Sequence, residues 1–584
     1  MNRLITTTLV ALFVSSSWAT SNQETITPNS PPFALSLEQL EQWSPQSKWV
    51  DSRNVATIPL ARRDTATLFG YDGNPVIQDR AAKVLYAPDG MNNFGNYLAH
   101  QPKFNLYNFT HWSDIDILNW FAGTAKHTVQ IPARPWVDAA HKNGVKVIGS
   151  VFLGVAQWGG SADTVEQLLI QDAEGRFLLA DKLIHIAQFY GFDGWLINQE
   201  TDLTSVKDKN NNLVEGEKNA ARGQKLATKM LAFVQYLTAN APSGMEIHWY
   251  DSMVASGEVK WQNELNEVNS RYLSDKNLRS SDAIFLNYWW NKGMVDKSVN
   301  HAKKIGRSAY DIYTGADMWP QRNAQTAFVV TDWYNWLFSD GRAKTSIAIF
   351  APNFNYNFGG DDKSEAFSLF QKDSTDYARY YATEQRLFVG DDLNLAFLDK
   401  QGWPGIASRL SASTPHLSLP FTTSFNTGHG LHLFDNGHKT ATPWSDMAAQ
   451  TALPTWQFAI FGASSNSQFH VSYHFDDAFQ GGSSLKIKGE DSRVRVPLFA
   501  TRFAITKNSE LQVTTKNSLS GMAIYLIDAN KKRWTFSLSS SKDWQTSTFP
   551  LSALAGEQVL ELGLITEKGD VAIDGLLGKL MVTQ

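Results

Sequence analysis

The chain has 584 residues, 57 acidic against 52 basic side chains, a formal charge of -5, 43% hydrophobic residues and no cysteine. At roughly 100–200 residues per domain it is too long for one compact unit, and its apolar content excludes global disorder. Mild acidity without a basic run argues against a nucleic-acid or anionic-membrane partner. The missing cysteines exclude disulfides, zinc-thiolate and Fe–S centres and a cysteine nucleophile. No cofactor, no metal and a monomeric state are expected. The unusual number is 20 Trp beside 18 Tyr and 34 Phe. Flat apolar platforms stack on the C–H faces of sugar rings, so a carbohydrate ligand is one reading of that excess. Large aromatic cores are the other.

In chain order, Arg3 precedes the apolar run Leu4–Val14, which is too short to span a bilayer. Ser17 and Ala19 have the spacing that a signal peptidase reads. Residues 1–19 are therefore expected to be a signal peptide, and the mature protein to be exported to the periplasm or outside the cell. Residues 20–80 read as an irregular lead-in. Eight short apolar runs follow: Lys83–Ala87, Asp114–Phe121, Val145–Leu153, Phe192–Glu200, Met245–Met253, Ala283–Trp289, Ser308–Asp317 and Ser346–Asn353. Helical spacing lies between most of them. It is clearest at Phe177–Tyr190, with Leu179, Leu183, Ile186, Ala187 and Tyr190 on one face. A second example is Ala220–Ala239, with Leu226, Met230, Phe233, Val234 and Leu237. Strands alternating with helices imply parallel pairing, and eight such units over residues 81–400 suggest an α/β fold, a (β/α)8 TIM barrel. An open doubly wound sheet has a similar rhythm. However, neither G-x-G-x-x-G nor G-x-x-x-x-G-K-[ST] is present to mark a nucleotide site. From about residue 401 to 584 short alternating strands are separated by Gly, Asn, Asp and Ser, as in Gly430–Phe434, Gln468–Phe475, Ser484–Ile487 and Met522–Asp528. That pattern predicts a C-terminal, jelly-roll-like β-sandwich.

The chemistry concentrates in Tyr190–Thr201, YGFDGWLINQET. On the fourth strand Asn198 and Glu200 share parity, so both side chains leave the same face. They stand at the strand's C-terminal end, where barrel enzymes keep their active sites. Alternatively, Glu200 begins a loop and Asn198 caps it. An amide beside a single carboxylate is not the pair of acids that most glycosidases use. It does suit a sugar bearing a 2-acetamido group. The acetamide oxygen supplies the nucleophile, Asn198 holds it and Glu200 moves the proton. Such a reaction retains the anomeric configuration.

YGFDGWLINQET resembles the active-site strand of the glycoside hydrolase family 85 endo-β-N-acetylglucosaminidases, which cleave the chitobiose core of N-glycans. The similarity continues in order through Ile131–Phe152, His248–Met253, Trp261–Asn266, Phe285–Trp290, Tyr310–Trp319, Ile347–Phe354 and Leu419–Gly430. It implies that Asn198 orients the acetamide, that Glu200 is the acid/base and that Tyr250 places its hydroxyl near the reacting sugar. It implies an aromatic gate from Trp261, Trp289 and Trp290. The last two are adjacent on a strand and must face opposite ways. Asp193 resembles an acid that braces the strand, or a turn residue after Gly191. Asp317, Trp319, Gln157, Trp158, Phe354 and Asn355 follow neighbouring strands and are expected glycan contacts. The implied substrates are N-linked glycans and glycoproteins, with sugar hydroxyls able to compete with water for the intermediate. The sandwich is either a carbohydrate-binding module or a brace. His429, His432 and His438 lack metal-ligand spacing and read as ordinary turn histidines.

Two other readings stay open. A chitinase-like hydrolase also uses substrate assistance, but Leu196 and Asn198 stand where its strand carries acids. A barrel kept only to bind glycans is the non-enzymatic alternative, against which the retained Glu200 argues.

Overall fold

The computed structural model describes residues 34–208, 213–319, 325, 332–353, 384–396, 402–462, 469–490, 493–567 and 572–584. Eight parallel strands form the barrel: β1 Val84–Ala87, β2 Ile117–Asn119, β3 Lys146–Leu153, β4 Gly194–Gln199, β5 Glu246–Tyr250, β6 Ala283–Leu286, β7 Ile312–Asp317 and β8 Ser346–Phe350. Each lies within one of the eight apolar runs. Parallel pairing runs from β1 to β2 to β3 and from β4 onward through β8. The pairs β8–β1 and β3–β4 complete the cylinder. A closed ladder leaves no strand edge, which separates this fold from an open doubly wound sheet.

The helices follow the predicted spacing because each needs one apolar stripe against the barrel. Helix α1 spans Arg134–Lys142, α2 Leu178–Tyr190, α3 Ala220–Asn240 and α4 Lys292–Lys304. On α2, Leu179, Leu183, Ile186, Ala187 and Tyr190 are buried, and on α3 so are Leu226, Met230, Phe233, Val234 and Leu237. Asn219 caps α3 by accepting the Arg222 N–H at 3.0 Å. Among the described residues no helix is long and apolar enough to cross a membrane.

The tryptophan excess divides between both readings. Trp112, Trp120, Trp136, Trp195, Trp249, Trp403 and Trp456 are fully buried core rings, whereas Trp158, Trp261 and Trp289 are exposed. The lead-in is more ordered than its composition suggests. Ala34–Leu35 pairs antiparallel with Val129–Gln130, which in turn pairs with Ser150 and Val151 of β3. Asp138 of α1 accepts backbone N–H bonds from Thr57 and Ile58 at 2.7 and 3.1 Å, which straps the lead-in to the barrel.

The C-terminal region is antiparallel. One sheet of six strands is centred on Ile573–Val582, which pairs with Phe421–Thr423, Ser484–Gly489 and Glu510–Ser518. The other has four strands, with Gln558–Thr566 between Arg495–Ala504 and Met522–Asp528. A polar seam joins it to the barrel side: Trp112 Nε1 donates to Gln450 Oε1 at 2.8 Å, and Asn108 Nδ2 to the Thr427 carbonyl at 2.8 Å. His429 belongs to this seam. It is buried, stacks on Phe104, and shares a hydrogen bond between its Nδ1 and the Phe104 carbonyl at 2.9 Å. Burial lowers its pKa to about 4, so it stays neutral. Among the described residues no group of His, Asp and Glu could hold a metal ion.

Candidate active site

The strand that carries the site is built by two glycines. Gly191 ends α2 with φ of 78°, a left-handed conformation that costs glycine nothing. Gly194 opens β4 with φ of 146°, and a Cβ there would stand 1.9 Å from the Glu246 carbonyl oxygen. The close approach of β5 to β4 therefore requires glycine. From that start the alternation carries Leu196, Asn198 and Glu200 to the inner, C-terminal end. The Glu200 N–H still bonds to the Leu153 carbonyl of β3 at 2.7 Å, so the carboxylate hangs from the barrel ladder itself.

A cavity of about 430 Å³ opens at this end and is lined by Leu196, Asn198, Glu200, Tyr250, Tyr288 and Trp158, among others. Asn198 is buried, and its Nδ2 donates to Glu200 Oε2 at 2.9 Å. A carboxylate only accepts, so the amide must turn its nitrogen to Glu200 and keep Oδ1 as its acceptor. The pair thus offers a carboxyl that can carry a proton and a carbonyl that can receive an N–H.

Tyr250 ends β5. Its hydroxyl donates to Asn287 Oδ1 at 2.8 Å. Burial, then the neighbouring Tyr288, Glu200 and Asp251, push its pKa well above the usual phenol value. It is therefore held as a neutral hydroxyl. Asp251, the next residue, is buried, and this raises its pKa to about 6 against the opposing pull of Asn269 and the Asn263 and Gln262 amides.

The aromatic positions separate clearly. Trp289 is 64% exposed and Trp290 only 7%. Trp290 points into the core, where its Nε1 donates to the Gly315 carbonyl at 2.6 Å. The opposite facing expected for neighbours is observed, and of the pair only Trp289 is exposed. Trp261 and Trp158 are also exposed, at 41% and 53%. Both follow the C-terminal ends of barrel strands, and Trp158 lines the cavity.

Asp193, which the resemblance reads as a brace of the strand or as a turn residue, stands at the opposite end of β4 from the cavity. Its Oδ2 accepts from His141 Nε2 and from the Val147 N–H, each at 2.8 Å. Burial disfavours the charged imidazole of His141, but the Asp193 hydrogen bond and charge outweigh this and raise its pKa. Asp193 is thus a brace between α1, β3 and β4. Asp317 is buried at the end of β7, where it accepts the Trp319 N–H at 2.9 Å and its own N–H meets Gln325 Oε1 at 2.9 Å. Asp317, Trp319, Trp261, Trp289 and Gln157 are at the same barrel end but do not line the cavity. Phe354 and Asn355 lie outside the described residues.

Sequence reasoning missed Asp89, Asn92, Thr124, His127, Gln130 and Tyr288, which also line the cavity. All but Tyr288 and Gln130 come from connections after β1 and β2, and connections carry no periodic signal. Asn92 Nδ2 donates to Gln130 Oε1, and Asn92 Oδ1 accepts from Trp120 Nε1 at 3.0 Å. The two connections are therefore fixed to each other beneath the cavity wall. Tyr288 stood in the FLNYWW segment, overshadowed there by its two tryptophans.

The family model for glycosyl hydrolase family 85 matches residues 90–433. The cytosolic endo-beta-N-acetylglucosaminidase of Mus musculus is 30% identical over 497 residues, covering 83% of this chain and 56% of that protein. The Homo sapiens protein of the same name is 28% identical over 495 residues, with the same coverage of 83% and 56%. The chain thus spans about half the length of these curated relatives. Among solved structures, the glycoside hydrolase domain of Endo-D from Streptococcus pneumoniae R6 superposes with a TM-score of 0.76 at 26% identity, covering 96% of this chain and 83% of that one. The curated relatives are named as cytosolic, which overturns the expectation of a signal peptide and of a secreted, periplasmic or extracellular protein.

Proposed function

The chain belongs to glycosyl hydrolase family 85, and from that membership we propose that it is an endo-β-N-acetylglucosaminidase. It cleaves the β-1,4 bond between the two N-acetylglucosamines of an N-glycan core. The observation that carries this reading is the Asn198–Glu200 pair, hydrogen-bonded at 2.9 Å in the cavity at the C-terminal end of the barrel.

The residues divide the work as follows. Asn198 Oδ1 accepts the substrate's acetamide N–H and holds its carbonyl oxygen beneath the anomeric carbon. Glu200 gives its proton to the departing sugar oxygen while the acetamide oxygen closes onto that carbon, forming an oxazolinium ion that keeps its N–H on Asn198. Glu200 then takes a proton from the water that reopens the ring, so configuration is retained. Held geometry replaces a bimolecular encounter, and the placed acid contributes about 10²- to 10⁴-fold. Tyr250 contacts the reacting sugar as a neutral hydroxyl. Trp158, Trp261 and Trp289 supply apolar faces for the flanking sugars, and the polar wall at Asn92, Thr124 and His127 meets glycan hydroxyls. A sugar hydroxyl replacing water in the second step gives transglycosylation.

Incubation with a high-mannose glycoprotein is the test. Release of the glycan with one N-acetylglucosamine left on each asparagine, and retention seen by proton NMR of the freed sugar, is the expected result. Chitin oligomers cleaved in its place, binding without cleavage, or an inverted product overturns the reading.

A further inference from the structure

A phenol has one proton, and where that proton points decides whether its oxygen donates or accepts toward a substrate. At Tyr250 the direction is fixed from a distance. The Trp289 backbone N–H can only donate, and it donates to Asn263 Oδ1 at 3.0 Å. Asn263 Oδ1 also takes a bond from Asn287 Nδ2 at 2.7 Å. With its nitrogen so engaged, the Asn287 amide must face Tyr250 with Oδ1, which accepts the Tyr250 hydroxyl at 2.8 Å. The Tyr250 proton is committed to Asn287, and its oxygen meets the cavity as an acceptor.

Asn263 is itself seated firmly. Its φ is +60°, a left-handed conformation that asparagine tolerates better than most residues. Its N–H and that of Gln262 both donate to Asp251 Oδ2, at 2.9 and 3.1 Å, while Asn269 Nδ2 holds Asp251 Oδ1 at 3.0 Å. The connection after β5 is thereby folded back onto the residue that follows Tyr250. Asn263 Nδ2 also reaches the Trp261 carbonyl at 3.3 Å. One side chain therefore touches the connection bearing Trp261, the backbone of Trp289 and, through Asn287, Tyr250.

We propose that Asn263 is a positioning residue that orients the Tyr250 hydroxyl through Asn287 and seats Trp289 beside Trp261. The proposal rests on the reading of Tyr250 as a residue working on the reacting sugar. Its partner in the cavity is then a hydrogen-bond donor: the Tyr288 hydroxyl, which also hydrogen-bonds Tyr250, protonated Glu200, or an N–H or O–H of the sugar.

The test uses Asn263→Gly, which keeps the left-handed backbone and removes the acceptor, and Asn263→Asp, which keeps an acceptor for both donors. Each is made in the full chain with and without Tyr250→Phe. With a high-mannose glycopeptide, Asn263→Gly is expected to lower kcat about tenfold or more, and Asn263→Asp to stay within about threefold of the parent. In the Tyr250→Phe background the kcat effect of Asn263→Gly shrinks below about twofold, because the two act as one unit. A KM increase through Trp289 persists there. Hydrogen exchange of the Trp289 amide, slow in the parent, becomes about tenfold faster in Asn263→Gly. Parental kcat in the glycine variant, an aspartate variant as impaired as glycine, kcat losses that multiply, or unchanged exchange each overturns the proposal. If the parent chain cleaves no N-glycan, the functional reading fails by itself. The exchange experiment then decides alone whether Asn263 holds this arrangement.

Discussion

Strands β4 and β5 are each two different environments at their two ends. Where they begin, every acid is met by a base or a backbone donor. Asp193 holds His141 and the Val147 N–H, and Glu246 holds Lys146 Nζ at 2.6 Å and His248 Nε2 at 2.9 Å. Where they finish, Glu200 is met by an amide, and Tyr250 by another amide. The entry end spends its charges on holding neighbouring strands together. The exit end sets a carboxyl beside the Asn198 amide. The same alternation thus places bracing contacts at one end and the proposed proton chemistry at the other.

Substitutions at the two ends should separate the two roles. Glu200→Gln removes the proton shuttle and is expected to cut hydrolysis of natural glycans by about 10³- to 10⁴-fold with an unchanged melting curve. An equal loss of stability would erase the distinction. Asn198→Ala is expected to cost about 10²-fold or more through lost placement of the acetamide, yet to leave hydrolysis of a preformed oxazoline partly intact. Normal cleavage by that variant would remove the acetamide role. At the entry end, Asp193→Ala is expected to cost about 2 kcal/mol of stability by stripping His141 and the Val147 N–H of their acceptor. Its kcat per folded molecule stays at the parent level, as chemical denaturation and active-site titration would check. Glu246 gives the most pH-dependent effect. Burial opposes its ionisation, but the His248 hydrogen bond and the charges of His248, Lys146 and Lys83 hold its carboxyl far below the ordinary 4.5. A depressed acid contributes stability above 4.5 and loses it as pH falls, by roughly 1.4 kcal/mol per pH unit. Glu246→Gln should flatten that acid limb of the stability curve. An unchanged limb would mean that the pair contributes nothing.

The elements that were legible in the sequence share one property: their signal is local and periodic. All eight barrel strands, the apolar faces of α2 and α3 and the parity of Asn198 with Glu200 follow from repeats of two or 3.6 residues. Barrel closure was suggested by the count of eight units but shared its rhythm with an open doubly wound sheet, and the β8–β1 pairing decides it. What stayed hidden depends on residues far apart in the chain. Asp193 could be read as a brace or a turn, and only the position of His141 on α1 decides it. Asn92, Thr124 and His127 sit on connections whose path has no period. Asn263 was passed over because its role is a bond to Asn287, and the segment carrying it drew notice only for Trp261. The lead-in was read as irregular because its order is borrowed from Asp138 and Val129–Gln130, neither of which marks residues 34–80 themselves.

The Glu200 N–H, still paired with the Leu153 carbonyl, has a practical consequence for anyone wishing to redesign the enzyme. Glu200, the proposed acid, is anchored in the frame, while much of the cavity wall is carried by connections. Libraries that randomise the stretches around Asn92, Thr124 and Trp158 can therefore search for new glycan preferences while the reactive centre is inherited unchanged.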